Sequence, residues 1–286
     1  MLPSMNSYHS VSVPYSIYHE NRVIQGDCLE VMKDIPDRSI DMVLTSPPYD
    51  NLRTYNASLE WGEHIWKPVI RELFRIVKDS GVVVWVVGDA TIKGSETGTS
   101  FKQALYFKEV GFNLHDTMIY EKSTSPFPMH TRYNQLFEYM FIFTKLTQPT
   151  FNPIKIPTKT GGLNRSKDGG YRMKDGTMKK AGFETRKITK TMGNVWRYSV
   201  GGKKQIHPAT FPEKLAHDHI VSWSNEGDTI LDPFAGSGTV GKIAKQLNRN
   251  YILIEKVPEY IDIINKRLNT NIPTDNATVY EQLSLC

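Results

Sequence analysis

Apolar positions along the chain recur with two different periods. Between Glu63 and Gly81, "EHIWKPVIRELFRIVKDSG", the residues Ile65, Trp66, Val69, Ile70, Leu73, Phe74 and Val77 recur at helical spacing, with Gly81 as the stop. The run after it, "GVVVWVVGD", is continuously apolar, the mark of a strand buried on both faces. Upstream, "RVIQGDCLEVMKDIP" predicts a short strand, a turn at Gly26-Asp27 and a short helix closed by Pro36. "SIDMVLTSPPYDN" predicts a strand over Ile40–Leu44 that runs into a loop stiffened by two prolines. "SFKQALYFKEVG" reads as a helix, and "FNLHDTMIYEK" and "QLFEYMFIFTK" as two strands able to pair as neighbours. Toward the C-terminus, "EKLAHDHIVSWS" predicts a helix, "DTILDPF" a strand, "GTVGKIAKQL" a helix, "NYILIEK" a strand and "PEYIDIINKRL" a last helix. Strand and helix alternate, which predicts an α/β fold with a mostly parallel, twisted sheet and helices on both faces. No internal repeat or low-complexity run interrupts the pattern.

Composition narrows this reading. With 286 residues, 39% of them hydrophobic, the chain can form one large α/β domain carrying an insertion. No stretch approaches the length of a transmembrane span, and "MLPSMNSYHSVSVPYSIYHE" lacks the basic and apolar regions of a secretion signal, so a cytoplasmic protein is expected. The two cysteines, Cys28 and Cys286, form no disulfide or metal-ligand pattern, and no metal is expected. Charge is unevenly spread. Residues 151–205 hold fourteen Lys or Arg against three Asp or Glu, a net of +11, whereas the whole chain is +5. Concentrated basicity of this kind is the footprint of a polyanionic partner, with a solvated, partly disordered insertion as the plainer reading. Texture and charge together divide the chain into residues 1–146, an inserted basic module over 147–205, and residues 206–286.

Two motifs carry the candidate chemistry. In "ILDPFAGSGTVG", Gly236, Gly238 and Gly241 fit G-x-G-x-x-G, and Glu255 follows at the distance of a ribose-binding acid. The spacing alone suits a dinucleotide site. Asp232, however, would stand beside the pyrophosphate, where like charges repel. An acid there suits a ligand carrying an ammonium or sulfonium, as S-adenosylmethionine (SAM) does. The second motif is "TSPPY", Thr45–Tyr49. Pro-Pro removes two N–H donors and leaves the Ser46 and Pro47 carbonyls rigidly presented, while Ser46 adds a hydroxyl and Tyr49 an aromatic face. This acceptor-rich edge suits an amino group on a planar ring, such as an extruded base. A simple surface turn is the plainer alternative.

In this order, with a basic insertion between them, the motifs resemble those of the β-class DNA amino methyltransferases, which use SAM to methylate an exocyclic base nitrogen. The resemblance runs from about Arg22 to Leu268. "GDCLEVM" looks like the family element whose acid, here Asp27, approaches the adenine ring. "TSPPY" matches the catalytic motif, which assigns Ser46, Pro47, Pro48 and Tyr49 to catalysis. "GNVW" and "HPATFPEKL" resemble the segments that close the recognition region, and "DPFAGSGTV" matches the SAM loop. Cofactor contacts are thereby implied for Asp27, Asp232, Phe234, Gly236, Ser237, Gly238, Thr239 and Glu255. The implied fold is the Rossmann-like methyltransferase fold with circularly permuted motif order, and the implied partner is double-stranded DNA. In the basic module, Arg165, Lys167, Arg172, Lys174, Lys179, Lys180, Arg186 and Lys187 are expected to meet phosphates.

The resemblance implies direct methyl transfer to an amine whose two hydrogens are held by the Ser46 hydroxyl and the Pro47 carbonyl, with Tyr49 stacked on a flipped base. The product's proton can leave to Ser46, Asp50 or water. Ser at the first catalytic position is associated in the family with cytosine N4, and Asp or Asn with adenine N6. The expectation is therefore N4 of cytosine, with adenine N6 as the alternative. RNA or protein-glutamine amino methylation and a NAD-linked dehydrogenase are the more distant readings. Carbon-5 methylation needs a cysteine thiolate, and neither cysteine lies near the Ser-Pro-Pro loop in sequence. Asp50, Asn51, Arg53 and Tyr55 could line the base pocket or a DNA-facing loop, with a flexible surface loop as the plainer reading. His207 could brace a loop, and Glu138, in the strand "LFEYMFIF", could brace the pocket or stand as an edge-strand acid. The recognition sequence, a cognate restriction endonuclease and the choice between monomer and homodimer are not legible in one chain.

Overall fold

A computed structural model of the chain describes residues 21–48, 61–123, 132–146, 148–159, 161–165, 171–179, 184–199 and 212–269. Strand β1 (Arg22–Gln25) turns into helix α1 (Cys28–Lys33), whose first turn is capped by Asp27: its carboxylate accepts from the Leu29 N–H at 3.0 Å. β2 (Ile40–Thr45) is followed by α2 (Glu63–Ile76) and β3 (Val77–Val87). The helix stops at Ile76 and not near Gly81. Val77 turns extended, and the Arg75 and Ile76 carbonyls accept from the N–H groups of Arg38 and Ser39 at 3.1 and 2.8 Å. Gly81 lies inside β3, where a Cβ would meet the Asp41 carbonyl oxygen at 2.9 Å.

A hairpin of β4 (Thr91–Ile92) and β5 (Ser95–Glu96) precedes α3 (Thr99–Val110), and then come β6 (Asn113–Lys122) and β7 (Phe137–Thr144). Six short strands follow: β8 (Lys155–Pro157), β9 (Asn164–Arg165), β10 (Tyr171–Arg172), β11 (Met178–Lys179), β12 (Glu184–Thr185) and β13 (Thr189–Thr191). The chain then forms β14 (Val195–Tyr198), α4 (Glu213–Trp223), β15 (Thr229–Asp232), α5 (Thr239–Gln246), β16 (Asn250–Glu255) and α6 (Pro258–Asn269).

Among the described residues, eight strands form one sheet in the order β1-β16-β15-β2-β3-β7-β6-β14. Every pair is parallel except those of β7, which runs antiparallel to both β3 and β6. The run "VVVWVV" is buried throughout because helices cover both faces of β3. Val83, Trp85 and Val87 belong to a core with Trp66 and Leu73 of α2 and Phe107 of α3. From the other face, His219 of α4 meets Met140 of β7, and Gly241 of α5 rests against Leu253 of β16. The α/β class, the parallel sheet and the paired β6 and β7 are all as the periodicity predicts.

The direction of strand addition reverses between two central neighbours. β15 leads through α5 to β16 on one side, and β2 leads through α2 to β3 on the other. Such a switch point opens a crevice at the carboxyl ends of the strands, where ligands bind in open α/β sheets. The strand bearing the Ser-Pro-Pro loop comes early in the chain and the one bearing the glycine loop late, which is the permuted motif order.

Packing divides the chain into residues 1–151 with 195–270, and residues 152–194 with 271–286. The first unit holds the sheet and its helices. The described part of the second consists of the antiparallel pairs β8/β13, β9/β12 and β10/β11. The basic module expected over 147–205 overlaps this second unit, while Val195–Tyr198, inside that range, pairs with β6 as a strand of the main sheet. Among the described residues no helix is long and apolar enough to cross a membrane.

Candidate active site

The carboxyl ends of four adjacent strands bring the two sequence motifs together. β2 ends at Thr45 and β15 at Asp232, and the buried Thr45 hydroxyl donates to Asp232 Oδ1 at 2.7 Å. The Phe234 N–H donates to the same oxygen at 3.1 Å. One strand further, β16 ends at Glu255, whose Oε2 accepts from the Gly236 N–H and whose Oε1 accepts from the Val257 N–H, both at 2.8 Å. Beyond it, Asp27 follows β1 and pairs with Lys256 at 3.2 Å. Asp27, Glu255, Asp232 and the Thr45–Pro48 segment thus stand in one row along the sheet edge.

The glycine loop takes its shape from two left-handed residues and two close approaches. Gly236 and Gly238 have φ of 52° and 77°, in the left-handed region that favours glycine. A Cβ on Gly238 would meet Ile264 of α6 at 3.0 Å, and one on Gly241 would meet Leu253 of β16 at 2.4 Å, so the first glycine lets the loop approach α6 and the second lets α5 pack on β16. Ser237 and Thr239 are buried, and both face Arg267 of α6: its guanidinium donates to the Ser237 hydroxyl at 2.7 Å and to the Thr239 hydroxyl at 3.2 Å. The same guanidinium meets Glu213 of α4 at 2.7 Å, and Glu213 also holds Lys242 of α5 at 2.8 Å. Phe234 is half-buried, with its ring edge-on to Trp61 and Trp85.

Electrostatics favour a cationic ligand here. Burial pushes Asp232 up to about 7 against the Thr45 and Phe234 hydrogen bonds, and the neighbouring Glu255 adds to the rise. Burial also raises Glu255, opposed by the backbone N–H groups that it accepts. Two desolvated carboxylates beside a glycine cradle suit the sulfonium and ammonium of SAM and would repel a pyrophosphate. Each Glu255 oxygen keeps a further lone pair for a ribose hydroxyl. The donor set fits the cofactor.

On the catalytic side, Ser46 and Pro48 are half-buried and Pro47 is buried, directly after Thr45. Tyr49, Asp50, Asn51, Arg53, Tyr55 and His207 lie outside the described residues. Cys28 is buried in the first turn of α1, and burial with Asp27 alongside pushes its thiol up to about 12, which removes it as a thiolate nucleophile at neutral pH. Glu138 is buried and pairs with Lys122 at 2.6 Å, a brace between β7 and β6. In the second unit Arg172, Lys174, Arg186 and Lys187 are exposed. Arg165 and Lys179 sit in β9 and β11, and Lys167 and Lys180 lie outside the described residues. Sequence reasoning missed Thr45 as a site residue, although it opens the quoted motif. It also missed Arg267, for which nothing local in α6 gives a signal.

The row of acids at the switch point defines a crevice suited to a nucleoside cofactor. The N6/N4 methyltransferase family model, described as DNA methylase, matches residues 40–266. The orphan methyltransferase M.BamHII of Bacillus amyloliquefaciens is 51% identical over 253 residues, covering 84% of this chain and 92% of that protein. The DNA adenine methyltransferase YhdJ of Escherichia coli strain K12 is 30% identical, covering 86% and 82%. A DNA modification methylase of Thermus thermophilus, solved with S-adenosyl-L-methionine, superposes with a TM-score of 0.59 at 25% identity, over 87% of this chain and 94% of its own. The chain belongs to the N6/N4 family of SAM-dependent DNA amino methyltransferases.

Proposed function

We propose that the chain methylates the exocyclic N4 amine of cytosine in double-stranded DNA, by direct transfer to a base flipped out of the duplex. The observation that supports this reading is the Thr45–Asp232 hydrogen bond, which joins the strand leading into the Ser-Pro-Pro loop to the strand leading into the glycine loop. When bound, SAM supplies an electrophilic methyl group on a sulfonium. Asp232 and Glu255 meet its cationic and ribose portions, and Gly236 and Gly238 allow the backbone to approach it. The Ser46 hydroxyl and the Pro47 carbonyl accept the two amine hydrogens, which localises the nitrogen lone pair and aims it at the methyl group. Most of the acceleration comes from this positioning and from fixed dipoles. Tyr49 stacks on the base, and the proton released after transfer passes to Ser46, Asp50 or water. Arg165, Lys167, Arg172, Lys174, Lys179, Lys180, Arg186 and Lys187 supply the phosphate contacts.

Ser46 at the first catalytic position supports cytosine over adenine. Adenine N6 is the second reading, favoured by the 30% identity to a protein named a DNA adenine methyltransferase. The test is direct. Protein and SAM are incubated with mixed-sequence DNA and, separately, with RNA, the nucleic acid is digested to nucleosides, and the methylated product is identified by mass spectrometry. N4-methylcytosine is expected. N6-methyladenine would keep the mechanism and transfer it to the second reading, and methylation of RNA alone would overturn both.

A further inference from the structure

We propose that Thr45 is a positioning residue, whose hydroxyl fixes the Asp232 carboxylate toward the cofactor and ties the cofactor loop to the loop that holds the target amine. The geometry is specific. Thr45 is fully buried and Asp232 nearly so, on adjacent parallel strands at the point where the strand order reverses. A buried carboxylate has few rotamers that keep its hydrogen bonds. Here Oδ1 accepts from two directions, from the Thr45 hydroxyl on β2 and from the Phe234 N–H in the glycine loop. These two donors hold the carboxylate plane in place, and the next residue after Thr45 is Ser46. A movement of the cofactor acid therefore reaches the amine acceptor through one hydrogen bond and one peptide unit. A valine at position 45 would keep the β-branched shape that suits a strand and lose only the donor.

The same hydrogen bond governs titration of the site. Donation by Thr45 favours the ionised form of Asp232, while burial and Glu255 oppose it. Glu255 is the charged group that reaches Asp232 from β16, with the Asp27–Lys256 pair one strand beyond. From β2 and the glycine loop the partners are the uncharged Thr45 hydroxyl and Phe234 N–H. Since SAM arrives with a sulfonium and an ammonium, its affinity rises as Asp232 ionises. The Asp232 half of this inference needs only the family's cofactor, and the Ser46 half rests on the function proposed above.

The test uses the full chain with Thr45→Val and Thr45→Ser, without DNA in its first part. SAM affinity is measured by calorimetry from about pH 5.5 to 8.5, around the midpoint that burial sets for Asp232. Thr45→Val should weaken SAM by about tenfold at neutral pH, the scale of a lost hydrogen bond to a charged group, and move the midpoint of its pH dependence upward. Thr45→Ser should restore both. An unshifted midpoint with unchanged affinity in Thr45→Val overturns the inference, as does a Thr45→Ser variant equally impaired, because the methyl group and not the hydroxyl would then matter. If Thr45→Val does not fold, Asp232→Asn serves, since its amide oxygen still accepts from Thr45: the pH dependence of SAM affinity near 7 should vanish, and its persistence overturns the assignment. In the second part, methyl transfer at saturating SAM should fall for Thr45→Val and recover for Thr45→Ser. Loss of SAM affinity with transfer intact would overturn the tie to Ser46 while leaving the function proposed for Ser46 standing.

Discussion

The sheet edge and the basic unit solve opposite physical problems. At the edge, Asp232, Thr45 and Glu255 are buried or nearly so, and their polar atoms are fixed by a neighbouring strand, by glycine-loop N–H groups and by the Val257 N–H that follows β16. Such a site is held by parallel strands with helices on both faces, and small displacements are resisted by the core beneath it. The described part of the second unit consists of three strand pairs of two or three residues each, with Arg172 exposed in β10 and Lys174, Arg186 and Lys187 exposed in the segments between strands. Cations proposed to meet a phosphate backbone need no burial, because such contacts are made at the surface and are sensitive to salt. On the function proposed above, chemistry that depends on geometry would sit where packing is dense, and recognition that depends on charge where strands are short and cations exposed.

The sharpest way to break this contrast is to remove one atom at the edge. Ser46→Ala should lower methyl transfer by about 10²-fold, the scale of losing one preorganised polar group beside the reacting atoms, while SAM affinity stays within about twofold. Steady-state rates with separate SAM titrations check it. Equal loss of both would place Ser46 in the cofactor pocket and remove it from catalysis. A weaker but distinctive effect belongs to Asp232. An acid whose proton affinity is raised on folding favours the folded chain below its unfolded value, near 3.8, and loses that advantage as pH rises through about 7. Asp232→Asn, without cofactor, should therefore melt like the wild type near pH 4 and above it at pH 8. Thermal melts across that range decide the matter, and a wild-type profile in the variant would mean that the carboxylate is not desolvated in solution.

Against these, the basic unit should respond gradually and only to salt-sensitive measurements. Replacing Arg186 and Lys187 together with Glu should weaken DNA binding and flatten the slope of log affinity against log salt by about 0.9 for each phosphate that the protein no longer neutralises. SAM affinity in the same protein should not change. An unaltered salt slope would move the phosphate interface elsewhere on the chain.

The two regions were also unequally legible in the sequence. The continuous apolar run of β3 and the helical stripe from Ile65 to Phe74 announce their elements because burial on two faces, or on one, imposes a period that side chains alone reveal. Gly236, Gly238 and Asp232 were legible because a strand, a tight turn and a helix require those residue types in that order. Meetings between distant segments were not. Nothing near Arg267 says that it will reach Ser237, Thr239 and Glu213, since that meeting depends on how α4, α5 and α6 pack. The end of α2 was misplaced for the same reason: the groups that cap its last carbonyls come from Arg38 and Ser39, far back in the chain. In the basic unit the concentration of charge was legible, but strands of two or three residues have no period to read.

The smallest effect should come from the cysteine nearest the site. Cys28 follows Asp27 directly, so a mechanism through a thiolate would have its nucleophile close to the proposed cofactor pocket. Its environment argues otherwise: the thiol is buried among Met32 and the core beneath α1, and its deprotonation is displaced far above neutral pH. Cys28→Ala should therefore leave methyl transfer within about twofold of wild type and its pH profile unmoved, because an amine target needs no covalent adduct. Stability should fall by about 1 kcal/mol as a small buried side chain is trimmed. The decisive comparison is transfer rate per folded molecule, measured below the melting transition. A collapse of that rate, with SAM binding intact, would tie the thiol to chemistry and overturn the proposed division between acids that hold the cofactor and a loop that holds the amine.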